Sequence, residues 1–108
     1  MAEDRAAALH EASIIIDGLQ VSRWGEPVFR SLVQGGLTAI NATVAVHENF
    51  QETVEKIEGW NEMFEAYGSL ITPVRTTDDI KAAKAAGKVG IVFGFQDTAP
   101  IEHDSRLL

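Results

Sequence analysis

The feature that most constrains the fold of this 108-residue chain is an alternation between short apolar segments and amphipathic helical segments. Three segments combine aliphatic and β-branched residues in the manner of buried strands: 13–18, 37–46 and 89–95. Strands that are apolar on both faces and separated by helices predict a parallel sheet covered by helices. With right-handed crossovers, this α/β pattern fits a doubly wound open sheet or the first β/α units of a (β/α)8 (TIM-like) barrel.

Helix start and stop residues lie between the first two of these strands. Pro27 is placed for the first turn of a helix over residues 27–34, which two consecutive glycines then end. The residues that we expect on its apolar face, in decreasing order of fit to the helical period, are Val28, Leu32, Phe29 and Val33.

The clearest amphipathic helix follows the second strand. Asn49 is expected to cap it, with Glu52 three residues later in a variant of the capping box, and Gly68 is expected to end it. Apolar residues recur there at steps of three and four: Val54, Ile57, Trp60, Phe64 and Tyr67. This spacing predicts a helix with one face packed on the sheet.

The segment before the last strand is predicted to contain a short extended piece and a third helix. Residues 70–74 are kept out of a helix by Pro73. Thr76 and Asp79 are placed to cap a helix over 78–86, which a glycine ends. At the two ends of the chain, residues 2–12 favour a surface helix carrying His10, and residues 105–108 resemble the start of another helix.

The extent of the chain limits which architecture it can complete. Three strands cannot close a barrel, and a whole (β/α)8 barrel takes about 250 residues. We therefore expect residues 1–108 to form the N-terminal portion of a single barrel domain, completed by further chain or by a partner chain. A free-standing small α/β domain is the alternative, and it would need to cover its open sheet edges.

Composition excludes several classes of partner. A formal charge of −7 and nine scattered Lys and Arg residues oppose binding to nucleic acid. No apolar run approaches the length of a membrane span, and the first residues lack the order of a signal peptide. The chain has no cysteine, so it carries neither disulfides nor thiolate metal sites, which favours the cytoplasm.

Candidate functional residues lie where the predicted strands end, because sites in parallel α/β folds gather at the carboxyl ends of strands. Carboxylate and imidazole groups that could transfer a proton or hold a metal are provided by Asp17, His47 and Asp97. Polar groups that could bind a substrate are provided by Gln20, Glu48 and Gln96.

Each of these candidates also has a purely structural interpretation. Asp17 follows three isoleucines and could close a turn by binding backbone amides. His47 and Glu48 could be a solvated strand end or helix cap, and Asp97 could cap a helix. His103 and Asp104 lie near the end of the chain, where the sequence assigns them no role.

Three segments together resemble the renal dipeptidase family, the metallo-dipeptidases among the amidohydrolase-like barrels. The segment Ile15-Ile16-Asp17-Gly18 resembles the family's first-strand motif, usually Asp-Gly-His-Asn-Asp. Residues 77–80 and 85–89 resemble the short helix and Gly-Lys turn that lead into the family's third strand. The segment Gly94-Phe95-Gln96-Asp97 falls where that strand usually ends in Gly-Val-Glu-Gly-Gly. The resemblance implies a (β/α)8 barrel of which this chain covers about the first third.

The resemblance also implies a metal site from which this sequence departs. In the family, a His-x-Asp on the first strand and a Glu on the third bind two divalent metals, normally zinc. Those positions are occupied here by Leu19, Val21 and Gln96. Leucine and valine have no donor atoms, and glutamine lacks the charge that would hold two cations close together. We therefore expect either a single zinc ion or no metal.

Two functions follow from this combination. The first is a divergent dipeptidase-like hydrolase that cleaves an amide or peptide C–N bond of a small polar substrate. The second is a metal-free binding or assembly subunit, or an enzyme of different chemistry, on the same scaffold. Both predict that the remainder of the barrel is a partner of this segment, and the resemblance leads us to expect a homo-oligomer.

Overall fold

A computed structural model describes residues 2–108 of the chain. Its elements, in chain order, are α1 (Ala2–Ala12), β1 (Ile16–Gln20), α2 (Glu26–Gln34), β2 (Ala39–Ala45), α3 (Phe50–Ala66), β3 (Ile71–Pro73), α4 (Thr77–Ala86), β4 (Val89–Phe95) and two short 3-10 helices, Ala99–Ile101 and Ser105–Leu107. The predicted α/β class is confirmed, with parallel strands in one sheet and covering helices.

The sheet contains four strands in the order β1-β2-β4-β3, all parallel. The prediction of three strands was wrong, because the extended piece before α4 joins the sheet as β3. Ile71 pairs with Val89 and Pro73 with Ile91. Proline is tolerated there because it lies at the end of an edge strand, where one missing N–H donor breaks little of the ladder.

The first strand lies further along the chain than the sequence indicated. It begins at Ile16, which pairs with Ala39, and continues to Gln20 through an irregularity after Asp17. Asp17 was expected at the carboxyl end of the strand, and it lies near the start of β1 instead. Asp-Gly usually indicates a turn, but here Gly18 falls in the irregular stretch, where a local bulge replaces the turn.

The core lies between α2, α3 and one face of the sheet. Alternate residues of β2 and β4 point into it, and Phe29 of α2 and Trp60 of α3 are buried against them. The buried members of this core are Phe29, Leu32, Ile40, Ala42, Val44, Trp60, Ile71, Val89 and Ile91. The sequence ranked Phe29 below Val28, whereas Phe29 is fully buried and Val28 only partly.

The residues that alternate with these core positions lie on the opposite face of the sheet. Asn41 pairs with Val92 and Thr43 with Gly94 on the two central strands, and Ile16 pairs with Ala39 at the start of β1. In a closed barrel, the face that points away from the helices becomes the interior.

Side-chain caps set the starts of α3 and α4. Asn49 and Glu52 form a reciprocal capping box at the start of α3, as predicted. Asp79 accepts backbone N–H groups of Arg75 and Thr76 at the start of α4, and these bonds lower the pKa of its carboxyl. Gly87 ends α4 in the left-handed conformation, with φ of 70°, which glycine adopts without strain.

The ends of the described chain pack less closely. None of the residues of α1 is buried, and exposed His10 contacts the carbonyl oxygen of Gly35 through Nε2 at 2.9 Å, as expected of a surface helix. The final residues form a single 3-10 turn rather than an α-helix. Among residues 2–108, no helix has the length and apolar character needed to cross a membrane.

Both edges of the sheet are open within residues 2–108. The outer edge of β1 has no pairing strand there, and β3 pairs only with residues 89–91 of β4. Residues 92–95 therefore pair on the β2 side alone. This is the arrangement expected when a sheet continues into further strands.

Phe29 tests the description of the core. Phe29 is fully buried against Trp24, Trp60 and Tyr67. The variant Phe29→Ala should therefore lower the free energy of unfolding by about 3–5 kcal/mol through cavity formation. The matched control is Phe50→Ala, because Phe50 is 41% exposed, and its cost should be about 1 kcal/mol. Urea unfolding followed by circular dichroism measures both, and equal losses would contradict the packing described.

Candidate functional site

The carboxyl ends of β1, β2 and β4 lie at the same edge of the sheet because the three strands are parallel. The residues predicted there are Gln20, His47, Glu48, Gln96 and Asp97, and each is at or just beyond a strand end. Asp17 lies three residues before the end of β1. A cavity of about 510 Å³ opens at this edge, between the loop after β1 and helix α3, and its lining includes Val21, Ser22, Thr43, Glu48 and Lys56.

Two of the predicted carboxylates bind their own backbone. Oδ1 of Asp17 accepts the N–H of Leu19 at 3.1 Å, which stabilises the irregular stretch of β1. Oδ1 of Asp97 accepts the N–H of Ala99 at 2.7 Å, which closes a turn directly before the first 3-10 helix. Each aspartate therefore has a structural role that leaves its second oxygen as the group able to act on a ligand.

Glu48 is held more firmly than either aspartate. Oε2 accepts the backbone N–H of Val46 at 2.6 Å, and Oε1 lies 3.0 Å from Nζ of Lys56 on α3. The Val46 N–H and the Lys56 ammonium together lower the pKa of the Glu48 carboxyl to about 2. Glu48 therefore fastens the β2–α3 loop to the helix, while His47 beside it is exposed at the rim.

Gln96 turns its side chain toward the sheet face that points away from α2 and α3. Its Nε2 donates to Oγ1 of Thr43 at 2.9 Å, and its backbone N–H donates to the carbonyl oxygen of Ala45. The amide is therefore oriented by β2, with the carbonyl oxygen Oε1 remaining as an acceptor.

Sequence reasoning missed Asn41 and Thr43, which lie within β2. Oδ1 of Asn41 is buried and has no hydrogen-bond partner among residues 2–108, and the same holds for Oε1 of Gln20. A Cβ placed on Gly94 would overlap Oδ1 of Asn41, so the carboxamide lies against the backbone of β4. The sequence signal was available: two polar residues interrupt an otherwise apolar strand of seven.

The donor set of this segment does not fit a two-metal centre. Leu19 and Val21 are 60% and 65% exposed and carry no donor atom, and Gln96 is a neutral amide engaged with Thr43. Within the described range 2–108, no cluster of three or more His, Asp or Glu residues is arranged to hold a metal ion.

A separate cavity of about 480 Å³ lies between α3 and the 3-10 helices. It is lined chiefly by apolar side chains, including Phe50, Val54, Ile57, Phe95 and Ile101. Gln96, Asp97 and Thr98 also line it, so the polar carboxyl end of β4 borders this apolar cavity.

Parallel strands with polar carboxyl ends and helices packed on one face match part of a TIM-like barrel with an amidohydrolase-like fold. The chain is similar to the crystal structure of an amidohydrolase from Pseudomonas aeruginosa, with 45% sequence identity and a TM-score of 0.89. The match covers 91% of this chain and 30% of that structure, so the chain spans about a third of the length of the protein it resembles. No protein-family model and no curated protein matches the chain.

The contact between Asn41 and Gly94 predicts the outcome of a glycine substitution. Gly94→Ala should lower the free energy of unfolding by about 1–3 kcal/mol, because the new methyl group meets Oδ1 of Asn41. Adding Asn41→Ala should recover part of that loss, since the two residues share one space. Gly18→Ala is the matched control in β1, where nothing lies within 4 Å of the new Cβ. Thermal unfolding of Gly94→Ala, Asn41→Ala, their double variant and Gly18→Ala measures this coupling, and strict additivity of the first two would contradict it.

Glu48 should make stability depend on pH in acid. Its pKa is lowered in the fold from 4.5 to about 2, so its stabilising contribution is present above pH 4.5 and is lost as pH falls toward 2. Glu48→Gln should cost about 1 kcal/mol at pH 7, because solvent screens the pair with half-exposed Lys56, and nothing near pH 2. Urea midpoints measured from pH 7 to pH 2 test this, with Glu62→Gln as an exposed control on α3. A cost that does not change with pH would refute it.

Proposed function

We propose that this chain is the first part of a dipeptidase-like amidohydrolase barrel that hydrolyses an amide or peptide C–N bond in a small polar substrate. The main support is the similarity to an amidohydrolase at 45% identity over 91% of the chain, with a TM-score of 0.89. Polar groups at the ends of β1, β2 and β4 add to this support, because that edge is where barrel enzymes bind substrates.

The proposal requires further structure beyond these residues. The chain corresponds to 30% of the solved amidohydrolase, and the sheet is open at β1 and along residues 92–95. We propose that later β/α units, in the same precursor or in a second chain, close the barrel and supply the remaining side chains of the site. A homo-oligomer and a cytoplasmic location belong to the same proposal, the latter supported by the absence of cysteine.

Among the proposed catalytic residues, His47 is the best placed to transfer a proton. Asp17 and Asp97 each accept a backbone N–H, whereas His47 is exposed at the rim of the site. An imidazole ring has nitrogens that can accept and donate a proton, so it can take a proton from an attacking water and return it to the departing amine. Gln20, Glu48 and Gln96 are the proposed substrate-binding groups, with Glu48 acting mainly by fixing the loop that carries His47.

This segment does not provide a ligand set for a pair of zinc ions. We therefore propose a single zinc ion or none, and we assign no step of the reaction to a metal. Any metal ligands would come mainly from the later strands, because Leu19 and Val21 occupy the positions that would hold it here.

A second function is favoured by the same two residues. Leu19 and Val21 place exposed apolar side chains where the dipeptidase resemblance expects metal ligands, and this suits a retired enzyme that binds or assembles without hydrolysis. The two functions differ in turnover, since a binding subunit retains ligand affinity but releases no amine.

His47 provides the test of the hydrolase proposal. On the protein as isolated with everything that co-purifies, a panel of dipeptides and amino-acid amides should yield a hydrolysed substrate. His47→Ala should then lower kcat by about 10²–10⁴ if the imidazole transfers the proton. His103→Ala is the control, because His103 is another exposed imidazole in a loop. Absence of hydrolysis across the panel, or equal rates in both variants, would reject the proposed catalytic role.

The metal proposal has its own test. Elemental mass spectrometry of the isolated protein should find at most one zinc ion per complete barrel. The double substitution Leu19→His with Val21→Asp should raise the bound metal toward two ions, because it restores donors at the ends of β1. Two ions in the unsubstituted protein would contradict the proposal, and no gain in the double variant would show that the surrounding pocket differs from that of the dipeptidases.

A further inference from the structure

The cavity between the loop after β1 and helix α3 is widened by a glycine in the middle of that helix. Gly59 lines this cavity of about 510 Å³. A Cβ placed on Gly59 would have no heavy atom within 4 Å, and its φ is not positive. Neither packing nor backbone geometry therefore requires a glycine there. Because glycine in a helix interior is less stable than alanine, its presence at the cavity wall indicates that the space itself is used.

Most of the remaining cavity wall is apolar. Its apolar part is formed chiefly by Trp24 of the loop after β1, Val44 of β2, and Trp60 and Met63 of α3. The two indole rings pack on each other with their centroids 5.1 Å apart, which fixes this part of the wall. A volume of about 510 Å³ lies within the range of small-molecule pockets, roughly 300–1,000 Å³. The cavity therefore suits a small ligand with an apolar group.

An ion pair supplies the charged part of the wall. Nζ of Lys56 lies 3.0 Å from Oε1 of Glu48, and both residues line the cavity. Glu48 is held in place because its Oε2 accepts the backbone N–H of Val46. The Lys56 ammonium has three N–H donors and a half-exposed side chain, so donors remain beyond the one directed at Glu48. Each partner can therefore bind a further charged group.

The two opposite charges determine which ligand fits. An anion that is attracted by Lys56 is repelled by Glu48 at a similar distance, and a cation meets the reverse. A molecule that carries both charges close together avoids this cancellation, because its carboxylate can bind Lys56 while its ammonium binds Glu48. An α-amino acid has this pair of charges, and its side chain can supply the apolar group.

We propose that this cavity binds a free α-amino acid with an apolar side chain, which pairs with Lys56 and Glu48 and lies against Trp24 and Met63. The inference rests on the cavity, Gly59 and the ion pair. It does not depend on the hydrolysis proposed above, because it requires binding and no bond cleavage. The alternative occupant is another part of the protein that fills the same space permanently.

Analogues of one amino acid test the recognition of the charges. Titration calorimetry on the protein as isolated should detect binding of L-leucine. N-acetyl-L-leucine lacks the ammonium and L-leucinamide lacks the carboxylate, so each should bind about tenfold more weakly or worse. L-alanine keeps both charges and loses most of the apolar side chain, so its affinity should also fall by about tenfold or more.

Gly59→Leu fills the cavity from the helix side. Its affinity for L-leucine should fall by about tenfold or more. Its melting temperature without ligand should stay the same or rise, because leucine favours a helix over glycine and open space surrounds the new side chain. Gln51→Leu is the matched control, since it places a leucine on an exposed part of α3 that lines neither cavity beside this helix. This control should keep the affinity within about twofold.

Four results would overturn the inference. Absence of L-leucine binding to the unsubstituted protein would exclude an amino-acid site. Equal affinities for L-leucine and its two uncharged-end analogues would show that the ion pair does not recognise the ligand. Unchanged affinity in Gly59→Leu would place the ligand elsewhere. A melting temperature of Gly59→Leu that drops by several degrees would show that another part of the protein occupies the cavity.

The readout separates this inference from the proposed hydrolase activity. Because binding is measured rather than turnover, a protein that hydrolyses no dipeptide can still bind L-leucine in the cavity. A protein that hydrolyses dipeptides and fails the Gly59→Leu test would keep the proposed function and lose this site.

Discussion

The packing of β2 and β4 against α2 and α3 is the interaction on which the rest of the structure depends. Phe29 and Trp60 lie at its centre, where they contact each other and the apolar face of the two central strands. Because this face accepts only apolar residues, strand periodicity sends Asn41 and Thr43 to the other side. The position of the polar groups is therefore a consequence of where the aromatic residues pack.

The carboxylates at the strand ends act mainly on the protein itself. Asp17 and Asp97 bind nearby backbone N–H groups, and Glu48 joins the β2–α3 loop to Lys56. What remains toward the interior is neutral: a threonine hydroxyl and the amides of Asn41 and Gln96. One oxygen of each aspartate therefore serves local folding, and the other remains available near the strand end.

The sequence was sufficient for the architecture because periodicity and caps act locally. Asn49 with Glu52, and Gly87 with its left-handed backbone, marked helix ends that the structure contains. It was insufficient for β3, which forms only because β4 offers a distant partner. It marked Asn41 only as a polar residue in an apolar strand, and it did not reveal that Gly94 makes room for the side chain. The candidate catalytic residues remain predictions, since their roles depend on groups outside this segment.

The short pairing of β3 has a consequence for how a neighbouring strand can join. It occupies the first three residues of β4 and leaves residues 92–95 available on that side. A strand that enters there starts three residues later, a displacement of about 10 Å along the sheet. The short pairing of β3 therefore restricts which residues of β4 a neighbouring strand can contact on that side.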